Sequence, residues 1–171
     1  LKKKILMLNY EFPPIGGGAA IANYHLLTEF IGNADLEIDL VTSSPANRFE
    51  IEQFSENIKI FKLNVGKKEL HYWTMPEIAR WTWKAYWFFR KLINENRYDL
   101  CHCWFGWPSG IIGYLFRKRV PYIIALRGSD VPGYNARLKI LDKFALLQTS
   151  FFRERKTNRK NPFSPLPLTT K

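Results

Sequence analysis

Residues 9–27 read NYEFPPIGGGAAIANYHLL, and what stands on either side of the three glycines decides the fold. Upstream, residues 4–10 (KILMLNY) are short, continuous and apolar, the pattern of a buried strand. Downstream, residues 19–31 carry Ile21, Leu26, Leu27 and Phe30, so a helix is expected with those four on its core face. A strand, a glycine turn and a helix N-terminus make an anion site. Free N–H groups and the positive helix end converge there, and no side chain blocks approach. The same residues also fit a purely architectural role, a tight turn that lets helix lie close on strand. Spacing limits the ligand. A G-x-G-x-x-G fingerprint begun at Gly16 and Gly18 would need its third glycine where Ile21 stands, and no G-x-x-x-x-G-K-[ST] occurs. A dinucleotide-dependent oxidoreductase and a P-loop nucleotide triphosphatase are both disfavoured.

Working outward, residues 36–42 (LEIDLVT) and 58–63 (IKIFKL) alternate and read as the second and third strands. Residues 64–75 read as a loop containing Gly66. Pro76 suits the first turn of a helix that runs to about Asn96, since its missing N–H costs nothing there. Residues 99–104 (DLCHCW) read as the fourth strand. Pro108 is expected to open a helix, PSGIIGYLFRKR, with Arg117, Lys118 and Arg119 at its C-terminal end, where the helix dipole favours cations. Residues 121–127 (PYIIALR) read as the fifth strand, followed by the loop GSDVPGYN and a helix from Ala136. Strands alternating with helices predict an α/β fold, a mostly parallel sheet covered on both faces. Ligands bind outside the carboxyl ends of such strands. The unusual loops FPPIGGG, FGWPSG and GSDVPGYN each follow a strand, as that rule requires.

With 171 residues, 46% hydrophobic and 16% aromatic, the chain suits one domain with a sizeable core. It has no run of eighteen apolar residues and no secretory signal pattern, so neither a transmembrane helix nor export is expected. Cys101 and Cys103 fall on one face of a strand, where a disulfide between them would be strained. Buried, reduced thiols are expected, as in a cytoplasmic protein. The net charge of +11 is uneven, because residues 136–171 hold nine of the 26 Lys and Arg but two of the 15 Asp and Glu. Residues 150–171 have no apolar periodicity and read as a basic, Pro-containing disordered tail after a domain at 1–149. Such a tail binds anions nonspecifically, and no specific nucleic acid is expected.

The segment HYWTMPEIARWTWKAYWFFRKLINEN places Ile78, Trp81, Ala85, Phe88 and Leu92 on one helical stripe, which is expected to be core. Trp83 and Trp87 lie off it, with Lys84 and Arg90 near. Two readings stand: a helix set in a broad groove of the sheet, or a face for a membrane interface or partner.

Three stretches together, YEFPPIGGGAA at 10–20, HCWFGWPSG at 102–110 and PYIIALRGSDVPGYN at 121–135, resemble the N-terminal domain of family-four glycosyltransferases. The resemblance covers roughly residues 3–145 and implies a Rossmann-like three-layer sandwich, one half of a GT-B enzyme. It implies retaining, metal-independent transfer of a sugar from a nucleotide-sugar donor to a glycan or lipid-linked acceptor, with no cofactor. It makes Gly16, Gly17, Gly18, Arg127 and Ser129 candidate substrate-binding residues, and His102 and Asp130 candidate catalytic ones. Asp130 would orient an acceptor hydroxyl, and Arg127 would stabilise the departing phosphate. No covalent nucleophile is assigned. Each has a plainer alternative: His102 as a core histidine, Arg127 paired with Asp130, Ser129 as a turn cap. His25 and His71 carry no motif. Relatives carry a second, donor-binding domain, so the chain is expected to be a truncated half, incomplete at its C-terminal end and inactive alone. Expected partners are the two substrates, that missing domain, and, as further candidates, the inner face of a membrane and a second copy of the chain. The rival to an enzyme is an anion- or membrane-binding module without chemistry.

Overall fold

The computed structural model describes residues 2–127, which hold six strands and three helices. In chain order these are β1 (Lys3–Leu8), α1 (Gly18–Glu29), β2 (Leu36–Ser44), β3 (Glu50–Ser55), β4 (Ile58–Asn64), α2 (Met75–Glu95), β5 (Leu100–Trp104), α3 (Ile111–Leu115) and β6 (Tyr122–Ala125). The sheet order is β3-β4-β2-β1-β5-β6, parallel except for the edge strand β3. Alternation along β1 divides the core. Leu6 and Leu8 join Cys101, Cys103 and the α2 residues Trp81, Ala85 and Phe89 on one face. Met7 joins Ile38, Leu40, Ile60 and Leu27 of α1 on the other. The sheet is thus covered on both faces, as its apolar strands require.

Several expectations change. The strand at 58–63 is the fourth, because residues 50–55 (EIEQFS) form an antiparallel edge strand on it. That strand is half-exposed, with Ile51 and Gln53 its outermost side chains and Glu50 and Glu52 between them, and such charged side chains discourage further pairing at an edge. Ile21 faces outward at 51% exposure, since Asn23 and Leu27 turn the inward side of α1 elsewhere. Phe89 takes the deep position in α2, and Phe88 packs at the rim against Phe61. The helix expected from Pro108 starts at Ile111, after a π-type turn over Gly106–Gly110. α3 presses so close to the sheet that a Cβ on Gly113 would stand 2.6 Å from Cys103 Sγ. Both thiols are unpaired and buried, with sulfurs 3.5 Å apart. The loop GSDVPGYN, the helix from Ala136 and the tail lie outside the described residues.

The start of α2 is fastened by one carboxylate. Glu77 Oε2 accepts the Thr74 N–H (2.9 Å), the Thr74 hydroxyl (3.0 Å) and the Lys67 ammonium (3.1 Å), while Oε1 accepts the Lys68 N–H (3.1 Å). Both side chains of the ion pair are buried. Burial alone would raise the Glu77 pKa, but the hydrogen bonds from Thr74, Lys68 and Lys67 outweigh it and lower the group from 4.5 to about 2. A depressed carboxylate contributes stability above its unfolded pKa and loses it as pH falls towards the folded one. Glu77→Gln should therefore cost about 3 kcal/mol in urea unfolding at pH 7, because it leaves Lys67 buried without a counter-charge. The parent's loss of stability between pH 4.5 and about 2 should shrink in the variant. Equal acid slopes would mean that Glu77 is not the group responsible.

Candidate functional site

The order of the strands locates the crevice. From β1 the chain runs to β2 on one side and later returns through α2 to β5 on the other, so β1 and β5 flank the switch point. Ligands of such sheets sit outside the carboxyl ends of those two strands. Tyr10 follows β1 and Phe105 follows β5, and their rings meet at 5.0 Å. Phe105 holds φ +74°, a strained position for a bulky residue and one that gathers at functional turns. Trp73 closes the wall with its ring 4.9 Å from Tyr10, edge to face.

The glycine turn is built from Asn9 onward. Asn9 is buried, donates to Asn23 Oδ1 (3.2 Å) and accepts the Glu11 N–H (3.1 Å), which swings the chain out of the sheet. Phe12 and Ile15 are buried anchors, closed by the Ile15 N–H on Phe12 O (2.8 Å). The three glycines then part company. Gly16 is buried at φ +98°, and a Cβ there would stand 2.7 Å from the Glu11 carboxylate. Gly17 and Gly18 are exposed, with open space where a side chain would be. α1 starts at Gly18 with no side-chain cap from Gly17, so its first N–H groups lack intrahelical partners. Burial pushes the Glu11 carboxyl up, against the pull of the Gly17 N–H, the Tyr10 hydroxyl and the Lys67 charge.

A residue without a sequence motif holds this turn in place. His71 donates from Nδ1 to Gly16 O (2.8 Å), and the Gly16 N–H donates to Leu70 O (2.8 Å). Residues 70 and 71 belong to the loop that Lys67 and Glu77 fasten to α2, and the Lys67 ammonium also lies 4.0 Å from the centre of the Trp73 ring. No sequence signal marks His71, because its partner is 55 positions away.

The strand-end candidates form a second group. The His102 ring lies tilted on Trp104 at 5.6 Å, and the Arg127 guanidinium stacks on Trp104 at 4.3 Å. His102 is half-buried, and burial, with the nearby Arg127 charge, lowers its pKa to about 4, so the ring is neutral at pH 7. Ser129 and Asp130 lie outside the described residues. Among the described residues, no three His, Cys, Asp or Glu side chains gather as metal ligands.

Comparison with known proteins agrees with this architecture. The sequence model for Glycosyltransferase Family 4 matches residues 16–156. A solved structure of sucrose-phosphate synthase from Thermosynechococcus elongatus is similar at a TM-score of 0.53 and 14% identity, over 89% of this chain and 98% of that one. At that identity the likeness is one of fold. No curated protein sequence matches.

The geometry separates the glycines by experiment. Gly16→Ala should cost about 1–2 kcal/mol in urea unfolding from its left-handed backbone alone, and more from the Glu11 contact. Gly18→Ala should be neutral or stabilising by up to about 1 kcal/mol, as alanine favours an open helix position. If the two variants lose equal stability, the turn is not built as described.

Proposed function

The chain belongs to glycosyltransferase family 4 as an N-terminal domain of such an enzyme, and from that premise we propose that its glycine turn receives the diphosphate or transferred sugar of a nucleotide-sugar donor. The observation that carries this reading is the pair Gly17 and Gly18, exposed and unfilled at the uncapped start of α1, beside the switch point of the sheet. Phosphate oxygens accept from the first-turn amides of α1, beyond the Gly17 N–H that Glu11 holds, and the positive helix end favours their charge. Tyr10 and Trp73, both partly exposed and backed by the buried Phe105, supply an apolar wall of the kind sugar rings pack against. In this proposal Arg127 offsets charge on the departing phosphate, and Asp130 orients the acceptor hydroxyl with help from Ser129. His102, neutral at pH 7, offers hydrogen bonds without adding charge. Retention of configuration, a donor-binding partner domain, the acceptor class (glycan or lipid-linked sugar) and the lack of a metal or cofactor rest on the family. The unpaired Cys101 and Cys103 support a reducing, cytoplasmic compartment. Among the described residues, no helix is long and apolar enough to cross a membrane. The domain division at 149 is likewise proposed, on composition.

The test is binding and turnover of nucleotide sugars by the chain, alone and with a donor-binding domain supplied separately. In a preparation that transfers sugar, Asp130→Asn should lower kcat by about 10² with less change in KM, the usual scale for a group that manages a proton. Arg127→Ala should lower it by about 10² or more, the scale of removing one donor to developing charge. Gly18→Leu should weaken donor binding while leaving thermal stability near the parent's. Full activity in all three variants would end this assignment.

A further inference from the structure

α2 has more apolar surface than the core uses. Ile78, Trp81, Ala85, Phe89 and Leu92 point inward and are buried. On the opposite side Trp83 and Trp87 are 65% and 45% exposed, one turn apart, with rings edge to face at 5.6 Å. They stand on a ridge between two open depressions. One, of about 650 Å³, is lined by Trp83, Tyr86, Trp87, Trp107, Ile111 and Leu115 and is almost devoid of polar atoms. The other, of about 380 Å³, lies along Phe49, Trp83, Trp87 and Phe88 and is edged by Lys84 and Lys91.

Cations ring this patch. The Arg90 guanidinium is 5.4 Å from the Trp87 ring, and that of Arg117 lies 3.9 Å from the Tyr114 ring at the end of α3. Lys84, Lys91 and Lys118 are exposed. The two acids of α2 do little to offset them. Glu77 is buried with Lys67, and Glu95 stands at the last residue of the helix, 3.9 Å from Lys91. Exposed indoles beside lysine and arginine match a surface whose outer layer is anionic phosphate and whose next layer is hydrocarbon. A peptide segment laid in the depression would find almost no polar atoms to meet its own N–H and C=O groups, which favours lipid as the occupant.

We propose that the outer face of α2, with the adjoining rim of α3, docks on an anionic bilayer surface. Trp83, Trp87 and Leu115 enter at headgroup depth, and Lys84, Arg90, Lys91 and Arg117 hold lipid phosphates. The docking is peripheral and reversible, since a patch of this size buries only a few side chains. It extends the lipid-linked acceptor of the functional proposal, but vesicle partition reads it out independently of sugar transfer.

The experiment is co-sedimentation of the full chain with phosphatidylcholine vesicles that contain or lack phosphatidylglycerol. The chain should partition onto the anionic vesicles and not onto the neutral ones. Trp83→Ala/Trp87→Ala should reduce that partition by about tenfold or more, the scale of withdrawing buried aromatic surface from an apolar phase. Lys84→Glu/Lys91→Glu should reduce it by at least about fivefold per site, the scale of one basic group near an anionic surface. The basic residues after 136 are unchanged in every variant, so binding through them alone would leave all the variants at the parental level and overturn the proposal. Brominated lipids should quench the parent's tryptophan emission more than that of the double tryptophan variant. An absence of parental binding, or a tryptophan variant that converts a dimer to a monomer with partition unchanged, would also overturn it. Circular dichroism should show every variant folded, since all four sites are exposed.

Discussion

The buried pair of Lys67 and Glu77 is the constraint on which the rest of this architecture depends. Its carboxylate accepts four donors, from Thr74 twice, Lys67 and Lys68, and so joins the loop after β4 to the first turn of α2. The Lys67 ammonium also donates to Tyr72 O and lies over Trp73. With the loop fixed, Leu70 and His71 can meet both polar groups of Gly16. A buried ion pair adds little net stability, because desolvation offsets most of the attraction. Its effect here is positional: it sets the place of a loop that has no regular structure of its own.

That positioning matters because Asn9, Phe12 and Ile15 fix the inner end of the glycine turn while its outer end is met by the loop. A left-handed residue at Gly16 reverses the chain. The latch from His71 and Leu70 holds that reversal, and the outcome is a helix start at which Gly17 and Gly18 leave open space, with the Gly17 N–H held by the Glu11 carboxylate. Glu11 occupies the inner side of the same turn. Its carboxyl is held above the ordinary range mainly by burial, so ionisation there is opposed, although Lys67 and the Gly17 N–H favour it. An anion that reaches the turn therefore meets an acid whose charge the surroundings already resist. Arg127, exposed on Trp104, supplies the opposite sign at the end of β6.

Much of this was legible in the residues. A continuous apolar run before three glycines, Pro76 before a long amphipathic stretch, and two cysteines in register each report a local rule, and each element formed where its rule placed it. What was missed shares one cause, dependence on a distant neighbour. The strand EIEQFS has too little apolar content to announce itself and exists because β4 offers it an edge. Phe88 and Phe89 differ by one step of the helix, and packing against the β1 and β5 residues beneath α2 takes Phe89 deep and leaves Phe88 at the rim. The three glycines look alike in sequence, yet Glu11 and His71 make one of them structural and leave two open.

α2 joins the two surfaces, and its geometry limits how they can cooperate. Its first turn belongs to the latch behind the glycine loop, while Trp83 and Trp87 lie eight and twelve residues beyond Met75. At 1.5 Å per residue these are about 12 and 18 Å along the axis. A helix resting on headgroups along that outer face runs along the membrane plane, so these are lateral offsets between the latch and the tryptophans. The core stripe of the same helix keeps the distance fixed, because Trp81, Ala85 and Phe89 bind it to the sheet that carries both strand ends. Packing on one side of α2 thus fixes how its exposed face is oriented relative to the ends of β1 and β5.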